Sequence, residues 1–117
     1  ERHDPVEIWG DGTAIKDLVY IDDLVEGMFL AMEKLETFTP LNIGSGRQIN
    51  TKEILDIILS ADNYENAEVR FDPSKPTMLP KMLIDVSLAK RTIRFEAKTS
   101  PQEGLKRTIE WYRKTRS

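Results

Sequence analysis

VEIWGDGTAIKDLVYIDD, residues 6–23, decides how this chain is read. Two alternating runs, Val6-Glu7-Ile8-Trp9 and Lys16 to Ile21, flank Gly10-Asp11-Gly12-Thr13. Alternation with a period of two is the pattern of a half-buried strand. Asp-Gly between two such runs predicts a local reversal, because glycine takes positive φ without steric cost. The stretch therefore predicts two short strands joined by a glycine turn, the second running into a helix capped by Asp22 and Asp23. Trp9 stands at the lip of the turn and Lys16 follows it, a pairing that points to a bound group both planar and anionic.

Working outward, Asp23 to Leu35 carries apolar residues at Leu24, Val25, Met28, Phe29, Met32 and Leu35, which is helical periodicity. Gly27 inside this helix costs about 1 kcal/mol relative to alanine, so a close packing contact is expected there. Leu41-Asn42-Ile43 predicts a short strand ending in Gly44-Ser45-Gly46. Asn50 or Thr51 starts the next helix, with Glu53 placed to complete a capping box. Its buried side is Ile54, Leu55, Ile57, Ile58 and Leu59. Glu68 to Phe71 predicts a strand, and Pro73, Pro76 and Pro80 punctuate the loop that follows. Met82 to Ile84 is a further candidate extended segment, and Asp85 can cap a brief helix from Val86 to Ile93. Ser100-Pro101-Gln102-Glu103 opens the last helix with serine at the cap and proline at the first helical position. Arg113, Lys114 and Arg116 gather at its C-terminal end, where the helix dipole favours cations. The fold class is α+β, with short strands and three to four helices.

Composition narrows the function classes. With 117 residues the chain is one domain, 1–117. Hydrophobic residues at 39% and charged residues at 32% describe a folded globular chain rather than a disordered one. A net charge of −3 gives no reason to expect nucleic acid or an anionic membrane as partner. No apolar run reaches the roughly 20 residues of a membrane span, and a cytoplasmic location is expected. The polar opening Glu1-Arg2-His3-Asp4, without an initiator Met, is consistent with a piece of something longer.

Catalytic groups are sparse. His3 is the only histidine and cysteine is absent, so no metal site is expected. Asp22-Asp23 could bind a metal or act as an acid/base pair, but adjacent residues diverge on a helix and capping reads better. Gly44-Ser45-Gly46 lacks the Lys-Ser/Thr of a phosphate loop and the third glycine of a dinucleotide fingerprint, so a plain turn is expected. No tyrosine is followed four residues later by lysine: Tyr20 meets Leu24, Tyr64 meets Glu68 and Tyr112 meets Arg116. No residue is assigned a catalytic role. Binding is better served. Lys16, Lys75 and Lys81 lie near turn-forming glycine or proline, and Trp9 can stack on a base or sugar. The same residues also read as solvated lysines and a half-buried core tryptophan.

Five segments together resemble the extended short-chain dehydrogenase/reductases, the NAD-dependent epimerase/dehydratase family, and within it the GDP-L-fucose synthases. They are Val6 to Gly12, Lys16 to Asp23, Leu41 to Gly46, Phe71 to Val86 and Glu103 to Tyr112, in the family's order. The resemblance implies that this is the small C-terminal, nucleotide-sugar-binding domain of a longer two-domain enzyme. The N-terminal Rossmann domain, carrying the glycine-rich NADP or NAD loop and the catalytic Ser, Tyr and Lys, would be absent here. The chain alone would then bind no cofactor and be inactive, and a homodimer is a possible assembly. Trp9 matches a tryptophan that contacts the nucleotide sugar. Lys16 stands where the family has a diphosphate-binding arginine, and keeps its charge without the planar fork. In the loop Lys75 to Lys81, Thr77 replaces an aspartate that meets the substrate and Lys81 replaces an arginine. The implied substrate-binding residues are Trp9, Lys16, Lys75, Thr77 and Lys81. A different use of the same fold is a non-catalytic interaction module.

Overall fold

The computed structural model describes residues 3–116. In order, the elements are β1 (Val6–Trp9), β2 (Ile15–Lys16), α1 (Ile21–Lys34), β3 (Ile49–Asn50), α2 (Thr51–Ala61), β4 (Val69–Asp72), α3 (Ser87–Ile93) and α4 (Pro101–Arg116). This is the α+β arrangement of four helices and short strands that the sequence predicts.

The strand pairing is not the predicted one. β1 runs parallel to β4, with Val6 opposite Val69 and Trp9 opposite Asp72. β2 pairs antiparallel with β3, Ile15 opposite Asn50 and Lys16 opposite Ile49. The glycine turn thus joins two separate sheets instead of closing a hairpin. Gly10 and Gly12 do hold positive φ, at 91° and 82°. Their backbone groups are engaged elsewhere, however: Gly10 N donates to Asp72 O, and Lys52 N donates to Gly12 O. A Cβ on Gly12 would lie 2.7 Å from Cε1 of Phe71, so the turn is wedged against β4.

β2 covers only the start of the predicted Lys16 to Ile21 strand. From Asp17 onward the chain leaves the ladder, and α1 begins at Ile21 with Tyr20 as its N-cap and no capping side chain. Asp22 and Asp23 occupy the first turn, where the dipole favours carboxylates, rather than the cap. Asp23 is buried and its Oδ2 accepts from Thr99 N at 2.9 Å, tying α1 to the strap before α4. Leu41 to Ile43 forms no ladder, contrary to expectation; Leu41 and Ile43 pack on the core instead.

Other starts agree with the sequence. Asn50 and Glu53 form the complete capping box of α2, and Ser100 Oγ accepts from Glu103 N at the head of α4. Asp85 acts one residue outside its helix: its Oδ1 accepts from Ser87 N, while Val86 is the N-cap of α3.

The core is small. Ala89, Ile93, Phe95 and Ala97 are buried together, with Leu30 and Ala31 of α1 and Leu35 at its C-cap against them. Gly27 lets α1 approach, since a Cβ there would lie 3.1 Å from Ile43 and 3.2 Å from Phe95. The molecule is a slab of 51 × 35 × 18 Å. Its radius of gyration is 16.8 Å, against about 13 Å for a compact chain of this length.

Candidate functional site

Parallel pairing of β1 with β4 sets Trp9 and Asp72 side by side at the ends of both strands. Beyond Asp72 the chain turns tightly, because the Asp72 carboxylate accepts from Ser74 N at 3.0 Å and Ser74 Oγ at 2.5 Å. Lys75 N closes the turn onto Asp72 O. This places the Lys75 ammonium 6.0 Å from the centroid of the Trp9 ring. Trp9 is 56% exposed, so its ring is presented to solvent rather than sunk in the core. Thr77 packs on the adjacent Gly10: a Cβ added there would meet Thr77 Cγ2 at 2.5 Å. Only glycine allows the loop to lie this close to the tip of β1.

Lys81 is joined to β2 through the backbone. Ile15 N donates to Pro80 O and Met82 N donates to Ile15 O, so Lys81 bridges in parallel to the residue preceding Lys16. Among the described residues, Lys16, Lys75 and Lys81 carry no ion-pair partner. The loop from Asp72 to Met82 thus sets Lys75 near Trp9 and Thr77 against Gly10 at one end, and at the other bridges Lys81 to Ile15, the neighbour of Lys16.

The Gly44-Ser45-Gly46 turn is already filled. Asp17 accepts from Ser45 N at 2.8 Å, Ser45 Oγ at 2.6 Å, Gly46 N at 2.8 Å and Ile84 N at 3.3 Å. A carboxylate of the chain itself occupies the position a phosphate would need, in keeping with a plain turn. Nothing in the sequence pattern pointed to Asp17, because its partners are 28 to 67 residues away.

A further feature escaped the sequence reading. The start of α1 and the first turns of α4 enclose a 630 Å³ groove, lined among others by Leu18, Tyr20, Ile21, Leu105 and Trp111. It shares no residue with the Trp9–Lys81 set. Gly104, where a Cβ would lie 3.2 Å from the Tyr20 ring, is the signal that the backbone of α4 packs closely on that side chain. Among the described residues no group of acidic or histidine side chains could hold a metal, and no helix is long and apolar enough to cross a membrane.

The short strands and four helices match part of a larger epimerase fold. Residues 1–44 match the sequence model of the NAD dependent epimerase/dehydratase family. GDP-L-fucose synthase 1 of Arabidopsis thaliana is 27% identical over 93% of this chain and 33% of its own. UDP-glucose 4-epimerase of Thermotoga maritima, solved with UDP-glucose, superposes with a TM-score of 0.83 at 36% identity, covering 96% of this chain and 36% of that one. UDP-glucuronic acid 4-epimerase of Bacillus cereus, solved with UDP-glucuronic acid and NAD, gives 0.82 at 26% identity over 95% and 36%. The chain spans about a third of the length of the relatives it matches.

Proposed function

We propose that this chain is the nucleotide-sugar-binding domain of an NAD(P)-dependent epimerase/reductase, in the manner of GDP-L-fucose synthase. The observation that carries the reading is the exposed Trp9 ring with the Lys75 ammonium over it, on a loop that also carries Lys81, bridged through its backbone to Ile15. A flat, exposed indole suits a base or sugar ring, and cations without carboxylate partners suit a diphosphate. Thr77 supplies a hydroxyl within the same loop. The relatives above act on, or were solved with, sugar nucleotides that differ in base and sugar, so the class of ligand is proposed and not one member.

In this reading the chain binds, orients and encloses the sugar nucleotide. A preceding Rossmann domain supplies acid/base groups and NADP or NAD, whose chemistry is hydride transfer at the sugar. The chain alone binds no cofactor and is inactive, and the complete protein is cytoplasmic. Lys16→Ala in the complete protein should weaken sugar-nucleotide binding about tenfold, as expected for one charge-assisted contact, and leave cofactor affinity unchanged. Titration calorimetry with each ligand decides the matter. Equal loss of both affinities, or of neither, removes Lys16 from the site. A coding frame with no dinucleotide fingerprint upstream would favour the interaction module instead.

A further inference from the structure

Of the three lysines in the proposed binding set, Lys16 alone is half-buried, whereas Lys75 and Lys81 are exposed. A lysine whose stem lies along the protein surface delivers its charge where its backbone aims it. On its N-terminal side Lys16 is held by main chain. Ile15 N donates to Pro80 O at 2.8 Å, and Met82 N donates to Ile15 O at 2.9 Å. These are successive bonds of a parallel pairing, whose next rung would join Ile84 N to the carbonyl of residue 17. A side chain makes that rung instead: Ile84 N donates to Asp17 Oδ2 at 3.3 Å.

The same carboxylate gathers a third segment. Asp17 Oδ2 also accepts from Gly46 N, and Oδ1 accepts from Ser45 N and Ser45 Oγ. Packing at this junction is as close as the bonding. A Cβ on Gly44 would lie 2.8 Å from Ile84, and one on Gly46 would lie 2.9 Å from Val86. A carboxylate offers about four lone-pair sites, and four donors already take those of Asp17. It has none left for a ligand and acts only through its neighbours.

We infer that Asp17 is the positioning residue for Lys16. Its carboxylate stands in for a backbone rung, locks the end of β2 to the exit of the Asp72–Met82 loop, and so fixes the Lys16 ammonium for the diphosphate of a nucleoside diphosphate. The inference rests on the reading of Lys16 as a diphosphate contact, and deepens it by naming the group that holds the lysine there. Lys16 is then clamped on both sides, by the main chain of Ile15 before it and by the side chain of Asp17 after it.

Charge and geometry predict opposite outcomes for Asp17→Asn. Removing a negative charge next to Lys16 should, by Coulomb's law alone, tighten the binding of an anion. Loosening the lysine should weaken it. With UDP and GDP as probes, titration calorimetry on the complete protein should show Asp17→Asn weakening both by about threefold or more. The loss should not exceed the roughly tenfold expected of Lys16→Ala, through which it acts. In the double variant the loss should equal that of Lys16→Ala alone, because no lysine is left to position. Ile93→Val thins the core under Phe95 without touching β2 and controls for lowered stability, so it should leave both affinities unchanged. Ser45→Ala deletes one of the four bonds and keeps the charge, and repeats the cycle with a smaller loss if Asp17→Asn does not fold. Tighter or unchanged binding with Asp17→Asn, or a loss of the same size with and without Lys16, would overturn the inference. Either result beside a normal Lys16→Ala loss leaves the proposed function standing. UDP and GDP binding that Lys16→Ala does not alter sinks that reading, and the inference with it.

Discussion

The four hydrogen bonds accepted by Asp17 gather the end of β2, the Gly44–Gly46 turn and the irregular segment at Ile84 onto one partly buried carboxylate. Removing it strands two or three backbone N–H groups. Loss of a charged acceptor for such groups costs about 2–4 kcal/mol, so Asp17→Ala should lower the unfolding free energy by that amount in a urea titration. A loss below half a kilocalorie would mean that water replaces the carboxylate at no cost. Asp11 gives a smaller, pH-dependent effect. The hydrogen bond from the Thr13 hydroxyl, then that from Thr13 N, hold its carboxyl below the ordinary 3.8. A depressed native pKa contributes stability above the unfolded value, and that contribution fades as pH falls through the native one, here below about pH 4. Thr13→Val removes the leading cause, and the Asp11 midpoint by NMR should rise toward 3.8. Of these two residues, Asp11 was legible from its place in the turn. Asp17 was not, since every partner is brought to it by the tertiary fold.

Elements whose signals are local read well from sequence, and those that depend on distant partners do not. The capping box at Asn50 and Glu53 and the Ser100-Pro101 start of α4 bond within three residues, and both form as predicted. The hairpin fails because strand pairing is a long-range choice. The glycines permit a reversal, but β4 and β3 outcompete the neighbouring strand for the ladder. The same limit explains Trp9 and Lys75: residue type and neighbouring turns singled them out, while the turn that brings them together depends on the parallel β1–β4 register. At α2 the prediction is therefore a local one. Asn50 Oδ1 accepts from Glu53 N at 2.8 Å, and Glu53 Oε2 accepts from Asn50 N at 2.8 Å. Asn50→Ala should cost about 1 kcal/mol. Glu53→Ala, which leaves the stronger half of the box intact, should cost less. Chemical denaturation of the two variants side by side checks the order, and reversal of it would show that the cap is held by the β2–β3 ladder rather than by the Asn50 side chain.

At the scale of the whole molecule, few residues carry the fold. Among the described residues the buried hydrophobic ones are Ile49, Leu55, Ala89, Ile93, Phe95 and Ala97, two of them alanines, in a slab 18 Å thick. Stability is a small difference between burial and chain entropy, and a slab buries little per residue ordered. The 117-residue chain on its own should therefore melt below the roughly 45–65 °C common to compact domains, and bind a hydrophobic dye such as ANS before it unfolds. Far-UV circular dichroism with dye fluorescence on the same ramp tests both. Met28→Glu then separates two origins of the low midpoint. If the exposed outer face of α1, where Met28 is 58% exposed, has no partner in this chain, a charge there should leave the midpoint within a degree or two and reduce dye binding. A sharp transition above 65 °C without dye binding would mean that the core under Phe95 is sufficient by itself. A large fall in the midpoint with Met28→Glu would mean that this face of α1 is already packed within the 117 residues.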